Sequence, residues 1–118
     1  MVRNCRFRNC FALLAIMPGY TYITTNKNKT VLYVGATDDI IRRIIEHKTK
    51  IYKNAFTAKY NCDILVYFEE FEKVNDAFLR EKQLKSGNRK RKEALINEMN
   101  PGWNDLSINW NDENFELR

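Results

Sequence analysis

Residues 20–35 read Tyr-Thr-Tyr-Ile-Thr-Thr-Asn-Lys-Asn-Lys-Thr-Val-Leu-Tyr-Val-Gly. The first six are aromatic or β-branched, the composition that suits a pleated, half-buried strand. Asn26-Lys27-Asn28-Lys29 supplies turn chemistry, because asparagine bonds nearby backbone and tolerates left-handed dihedrals. Thr30 to Val34 resumes strand composition, so the stretch predicts a β-hairpin, ended by Gly35 where the backbone must bend or approach something closely. Thr37 or Asp38 can then cap a helix running to about residue 48.

Working outward, residues 51–62 read as a loop rich in polar and aromatic groups, among them Tyr52, Lys53, Asn54, Phe56, Thr57, Lys59 and Tyr60. Ile64-Leu65-Val66-Tyr67-Phe68 predicts a third strand, which its apolar run suggests is central. A helix is expected from Val74 to Lys85, a break at Ser86-Gly87-Asn88, and a further helix from Arg89 to Met99. Asn100-Pro101-Gly102 stops it. The order ββαβαα predicts an α/β fold of the α+β sandwich kind: a small, mainly antiparallel three-stranded sheet flanked by helices.

At 118 residues the chain has room for one small core. No apolar run approaches the roughly 20 residues that span a bilayer, so no membrane association is expected. Cys5, Cys10 and Cys62 form no CxxC pair, and one histidine leaves a structural zinc site short of ligands. A reduced, cytoplasmic setting follows. Arg3, Arg6 and Arg8 before the apolar residues 10–17 loosely imitate a secretory signal but lack a small-x-small cleavage site. Residues 1–16 are therefore read as an extension of doubtful role, with Met17 as a candidate natural start, residues 17–106 as the domain, and residues 107–118 as an acidic tail. The net charge is +5, and because residues 105–118 carry −3, the remainder carries +8. Such a balance favours a polyanionic partner.

Tyr22, Tyr33, Arg43 and His47 fall within 26 residues of sequence. At about 100° per residue, with Ile40 at zero, Ile44, Ile41 and Ile45 span roughly 0° to 140° as a core stripe. Arg43 and His47 fall near roughly 300° and 340°, one turn apart at its margin, and Arg42 points away. Taken alone, they could be a snorkelling arginine and a boundary histidine. On the next helix, with Phe78 at zero, Glu81 lies near roughly 300°, inside an apolar arc between Phe78 and Leu84. A carboxylate there must be ion-paired, neutralised or bound to a metal. Lys82 and Arg80 face outward. Lys82, Lys85, Arg89, Lys90, Arg91 and Lys92 place six cations in eleven residues around the helix break. They form either a solvated face or, beside a helix N-terminus, a phosphate-binding one.

These residues, in this order, resemble the GIY-YIG nuclease superfamily, in its small single-domain form similar to the N-terminal nuclease domain of an excinuclease. Tyr20-Thr21-Tyr22 stands at the GIY element and Tyr33-Val34-Gly35 at YIG, with ten residues between Tyr22 and Tyr33. The family's helix arginine corresponds to Arg43, its His or Tyr one turn later to His47, and its metal-binding glutamate to Glu81. Asn100-Pro101-Gly102-Trp103 looks like the C-terminal segment of the stand-alone members. Tyr20 at the glycine position departs from the motif, and no fused specificity domain is expected.

The resemblance implies a metal-dependent endonuclease that hydrolyses DNA phosphodiester bonds, with DNA repair or the processing of branched, damaged or single-stranded DNA as its setting. Glu81 would hold one Mg²⁺ or Mn²⁺, completed by water and phosphate oxygens. Arg43 would stabilise charge on the phosphoryl oxygens. One tyrosine would activate water and the other would hold water or phosphate, with His47 able to share the base role; the sequence leaves that division open. Lys59, Lys85, Arg89, Arg91 and Lys92 are the expected nucleic-acid-binding cations. The alternative is a nucleic-acid-binding module that keeps the fold without cutting.

Overall fold

The structure is a computed structural model and describes residues 17–108 and 110. The extension of residues 1–16 lies outside the described residues, as do residues 109 and 111–118 of the acidic tail expected over 107–118. The elements are β1 (Gly19–Thr25), β2 (Leu32–Thr37), α1 (Ile40–Thr49), α2 (Phe56–Lys59), β3 (Ile64–Phe71), α3 (Val74–Ser86) and α4 (Arg89–Met99). The α+β architecture is as the sequence predicts, with one addition: a single helical turn, α2, interrupts the segment read as a loop.

The hairpin closes through Asn26, whose Oδ1 accepts the amides of Thr30 and Val31 at 2.8 and 3.1 Å. Lys29 takes φ 60° to complete the turn. β1 pairs antiparallel with β2 and β3, giving the strand order β2-β1-β3. The third strand is thus an edge and β1 the centre. Two polar residues of β1 meet the demands of this central place: Thr21 and Thr25 are fully buried, but their hydroxyls donate to the Ala77 and Val31 carbonyls, whereas the equally buried Thr24 hydroxyl has no partner among the described residues. A bulge opposite Ile23 and Thr24 leaves Val66 unpaired. It lets both Val66 and Tyr67 face one core, breaking strict alternation.

The sheet separates two cores. On one face, Ile23, Val34, Val66, Tyr67, Leu84 and Ile96 pack under α3 and α4. On the other, Tyr22 and Leu65 pack against Ile40 and Ile44 of α1. Asp39, rather than Thr37 or Asp38, caps α1 by accepting the Arg42 amide, while Thr37 Oγ1 accepts the Asp39 amide. Asn88 caps α4 through the Arg91 amide.

Asn100 does more than stop α4. Buried at 6% exposure, it donates to the Val66 and Asn104 carbonyls. Asp105 then accepts from Lys48 Nζ, the Leu65 amide and Ser107. These bonds lay residues 100–107 along the β3 edge, where Leu106 N donates to Leu65 O at 2.8 Å. Such cover protects an edge strand. Trp110 follows, 6.4 Å from the Phe68 ring.

Candidate active site

The α1 face of the hairpin carries the site. In the β1–β2 ladder Tyr22 stands opposite Gly35, and Thr24 opposite Tyr33. The Tyr22 ring lies over Gly35: a Cβ there would sit 2.5 Å from Tyr22 Cζ, inside any tolerable contact. Gly35 is therefore the close approach its position suggested, and the approaching group is the first tyrosine.

His47 is only 5% exposed. It belongs to the buried stripe of α1 with Ile40 and Ile44, while Ile41 and Ile45 are only half-buried. Its burial has a polar cause. Nε2 lies 2.8 Å from Tyr22 Oη and Nδ1 lies 2.9 Å from Thr57 Oγ1, so both ring nitrogens are satisfied. The Tyr33 ring stands edge-on to the imidazole at 5.8 Å and 6.4 Å from the Tyr22 ring. Thr57 arrives on α2, the turn that periodicity could not signal in four residues. It is the principal polar partner that the sequence reading did not single out.

Electrostatics follow from this packing. Burial, with the Arg43 charge beside it, lowers the His47 pKa to about 4, so the imidazole is neutral at pH 7. A neutral imidazole has one donor and one acceptor nitrogen. Burial and the neighbouring Tyr33 raise the Tyr22 pKa, while Arg43 pulls it the other way. Arg43 itself is 30% exposed in its side chain, bonds Glu46 Oε1 at 3.0 Å and lies 5.8 Å over the Tyr52 ring.

Glu81 comes from α3. Phe78 is 48% exposed, so the buried stripe of this helix passes through Ala77 and Leu84, with Glu81 at its margin rather than between Phe78 and Leu84. The small Ala77 explains the difference. It lets α3 lie close on β1, where its carbonyl accepts from Thr21 and where a Cβ on Gly19 would meet Ala77 Cβ at 3.0 Å. Glu81 pairs with Lys85 at 3.0 Å, and its charge is felt at Tyr22. The same Lys85 Nζ lies 5.9 Å over the Tyr33 ring. Thus Tyr22, Tyr33, Arg43 and His47 are assembled directly, and Glu81 joins them around the β2 side. Arg80, expected to face outward, instead folds onto the sheet and bonds Glu69, which also accepts from Tyr67.

The basic residues divide. Lys85 adjoins the site, and Lys59 is exposed at the end of α2. Arg89 is committed to Glu93 and to the Lys29 and Thr30 carbonyls, fastening the hairpin turn. Lys92 donates to the Gly87 carbonyl. Arg91 and Lys92 line a groove of about 250 Å³ between α3 and α4, with Arg80, Gln83 and Glu98.

Among the described residues no cluster of three or more His, Cys, Asp and Glu side chains could cage a metal. What the site offers is the single Glu81 carboxylate, paired with Lys85. Glu81 is 22% exposed in its side chain, and magnesium commonly keeps several waters and takes its remaining ligands from phosphate. Among the described residues no helix is long and apolar enough to cross a membrane.

Comparison with known proteins supplies the family. The GIY-YIG catalytic domain family matches residues 18–94. A solution NMR structure of a UPF0213 protein from Bacillus halodurans is similar, with 27% identity and a TM-score of 0.48 over 80% of this chain and 100% of that one. No curated protein shows significant similarity to the chain. With the family match running from the first strand into the last helix, the chain belongs to the GIY-YIG catalytic domain family, and this membership supports a nuclease-type function.

Proposed function

We propose that this protein is an endonuclease that hydrolyses DNA phosphodiester bonds with the help of one divalent cation, Mg²⁺ or Mn²⁺. The observation that carries the reading is the buried chain Tyr22–His47–Thr57, set beside Arg43 and within the field of Glu81. A structural histidine could be replaced by a core residue. One kept neutral and bonded to a phenol oxygen holds that phenol in a fixed orientation in the site.

The contacts support a division of roles. Thr57 holds His47 Nδ1, which fits the tautomer whose free Nε2 accepts the Tyr22 proton. Tyr22 is then the phenol that the imidazole orients, and we assign it the base role toward the attacking water; Arg43 opposes the burial that raises its pKa, and a cation at Glu81 would oppose it further. Tyr33, half-buried and facing Lys85, is placed to hold the water or the phosphate. Arg43 presents its guanidinium to phosphoryl oxygens, a role that its planar fork suits. Glu81 would hold the cation, which when bound supplies positive charge against the phosphate and the leaving oxygen. A cytoplasmic setting, DNA repair and the handling of branched or damaged DNA belong to the same proposal.

Incubation of the purified protein with plasmid and branched DNA in Mg²⁺, Mn²⁺ or EDTA tests it. Metal-dependent cutting is expected, falling by about 10²-fold or more in Arg43→Ala, the scale of losing one preorganised charge-stabilising donor. Glu81→Ala should abolish it. Cutting that survives both substitutions refutes the mechanism. The second reading, a binding module that does not cut, is favoured by the burial of Tyr22 and by the Glu81–Lys85 ion pair. Binding without cutting under any metal would establish it.

A further inference from the structure

The segment between α1 and β3 exposes aromatic rings beside the site. Phe56 is 47% exposed and Tyr60 50%, and their centroids lie 4.6 Å apart. Phe56 also stacks on Tyr33, 5.9 Å away at an interplanar angle of 27°. The three rings form a ladder from the half-buried Tyr33 to solvent. Aromatic side chains with this much surface open are costly to hydrate, and such patches mark binding surfaces. The packing does not demand them: what α2 contributes to the interior is Thr57, 4% exposed and bonded to His47.

The charge around the ladder selects the occupant. Residues 51–62 hold Lys53 and Lys59 and no carboxylate, while Lys50 is paired with Asp63, and Lys59 lies between Phe56 and Tyr60 in sequence. Arg43 and Lys85 flank the inner end over the Tyr52 and Tyr33 rings. Flat π faces interleaved with cations suit a nucleic-acid strand, whose phosphates meet the cations while an unstacked base covers a ring. A base inside a duplex has both faces already stacked and cannot do this.

We propose that Phe56 and Tyr60 form a stacking site for an unpaired nucleobase next to the scissile phosphate. The preferred substrate is then a strand with at least one unpaired nucleotide at the cut: a single strand, a flap or a loop. This deepens the nuclease reading and rests on Tyr33 belonging to the phosphodiester site.

The test separates the two. In EDTA, where cutting is halted, an oligonucleotide carrying 2-aminopurine is titrated with wild-type protein as a single strand and as a blunt duplex. Quenching of the single strand's 2-aminopurine and tighter single-strand binding are expected. Phe56→Leu and Tyr60→Leu, which keep apolar bulk and lose the π face, should each weaken single-strand binding on the order of tenfold, the scale of one lost base–aromatic stack. Duplex binding should stay within twofold, and Phe56→Trp should retain quenching. Tyr60→Leu leaves the Tyr33–Phe56 stack intact, so its result does not depend on the site's geometry. Unchanged quenching in both leucine variants, or equal losses for single strand and duplex, overturns the stacking site. Cutting is measured separately in Mg²⁺. Cutting that ignores both rings leaves the nuclease and removes the platform; ring-dependent binding without cutting does the reverse.

Discussion

Protonation of His47 should destabilise this protein at mild acidity, because burial and the neighbouring Arg43 charge hold the imidazole neutral. The unfolded imidazole takes up its proton near pH 6.5, whereas the folded one stays neutral down to about pH 4. Between those values the unfolded state binds more protons, so stability falls as pH falls. Evaluating the linkage at both ends gives a loss of about 2 kcal/mol between pH 7 and pH 5 from this one group. With a urea slope of about 1–2 kcal/mol/M for a domain of this size, the midpoint should move down by about 1–2 M. His47 is the chain's only histidine, so its ring protons give an unobstructed NMR titration. The variant His47→Gln can still bond Tyr22 and Thr57 but cannot titrate. It should be less stable than wild type at pH 7 and show a flatter dependence between pH 7 and 5; comparing the two removes the contribution of the carboxylates. A folded-state titration near pH 6.5, or the same pH dependence in both proteins, would refute the argument.

Other substitutions probe the supports of the site. Gly35→Ala places a methyl against the Tyr22 ring, and urea unfolding should register a loss of about 1–3 kcal/mol for the overpacking, with reduced cutting as the ring is displaced. Asp105→Ala removes the acceptor shared by Lys48, the Leu65 amide and Ser107, and should cost about 1–3 kcal/mol at pH 7. Although burial opposes ionisation, the Lys48 and Ser107 bonds hold this carboxyl below its usual range. Its stabilisation is therefore present above about pH 4 and lost on further acidification, so the wild type and the alanine variant should converge in stability as pH falls below 4.

Much of the arrangement of the candidate site was legible because its signals are local. The hairpin needs only turn residues between β-branched runs, and the spacing from Tyr33-Val34-Gly35 to Arg43 and His47 is carried within one strand and one helix. Phe78 and Arg80 misled because helical angle alone does not say which face approaches the sheet. That choice fell to the small residues Gly19 and Ala77, which permit a close backbone approach. The central place of β1 was likewise hidden: β3 is the more apolar strand, yet it lies at an edge that residues 100–107 cover.

The sequence by itself determined the alternation of strands and helices, the hairpin, and which side chains could carry phosphate chemistry. All of these depend on residue type and short-range spacing. Only the tertiary structure decided that His47 is buried and neutral between Tyr22 and Thr57, that Glu81 lies beside Lys85 at the margin of its helix, and that Phe56 extends the Tyr33 ring toward solvent. Those outcomes depend on burial and on contacts between elements distant in sequence, and a histidine's proton affinity is set only once the chain has closed around it.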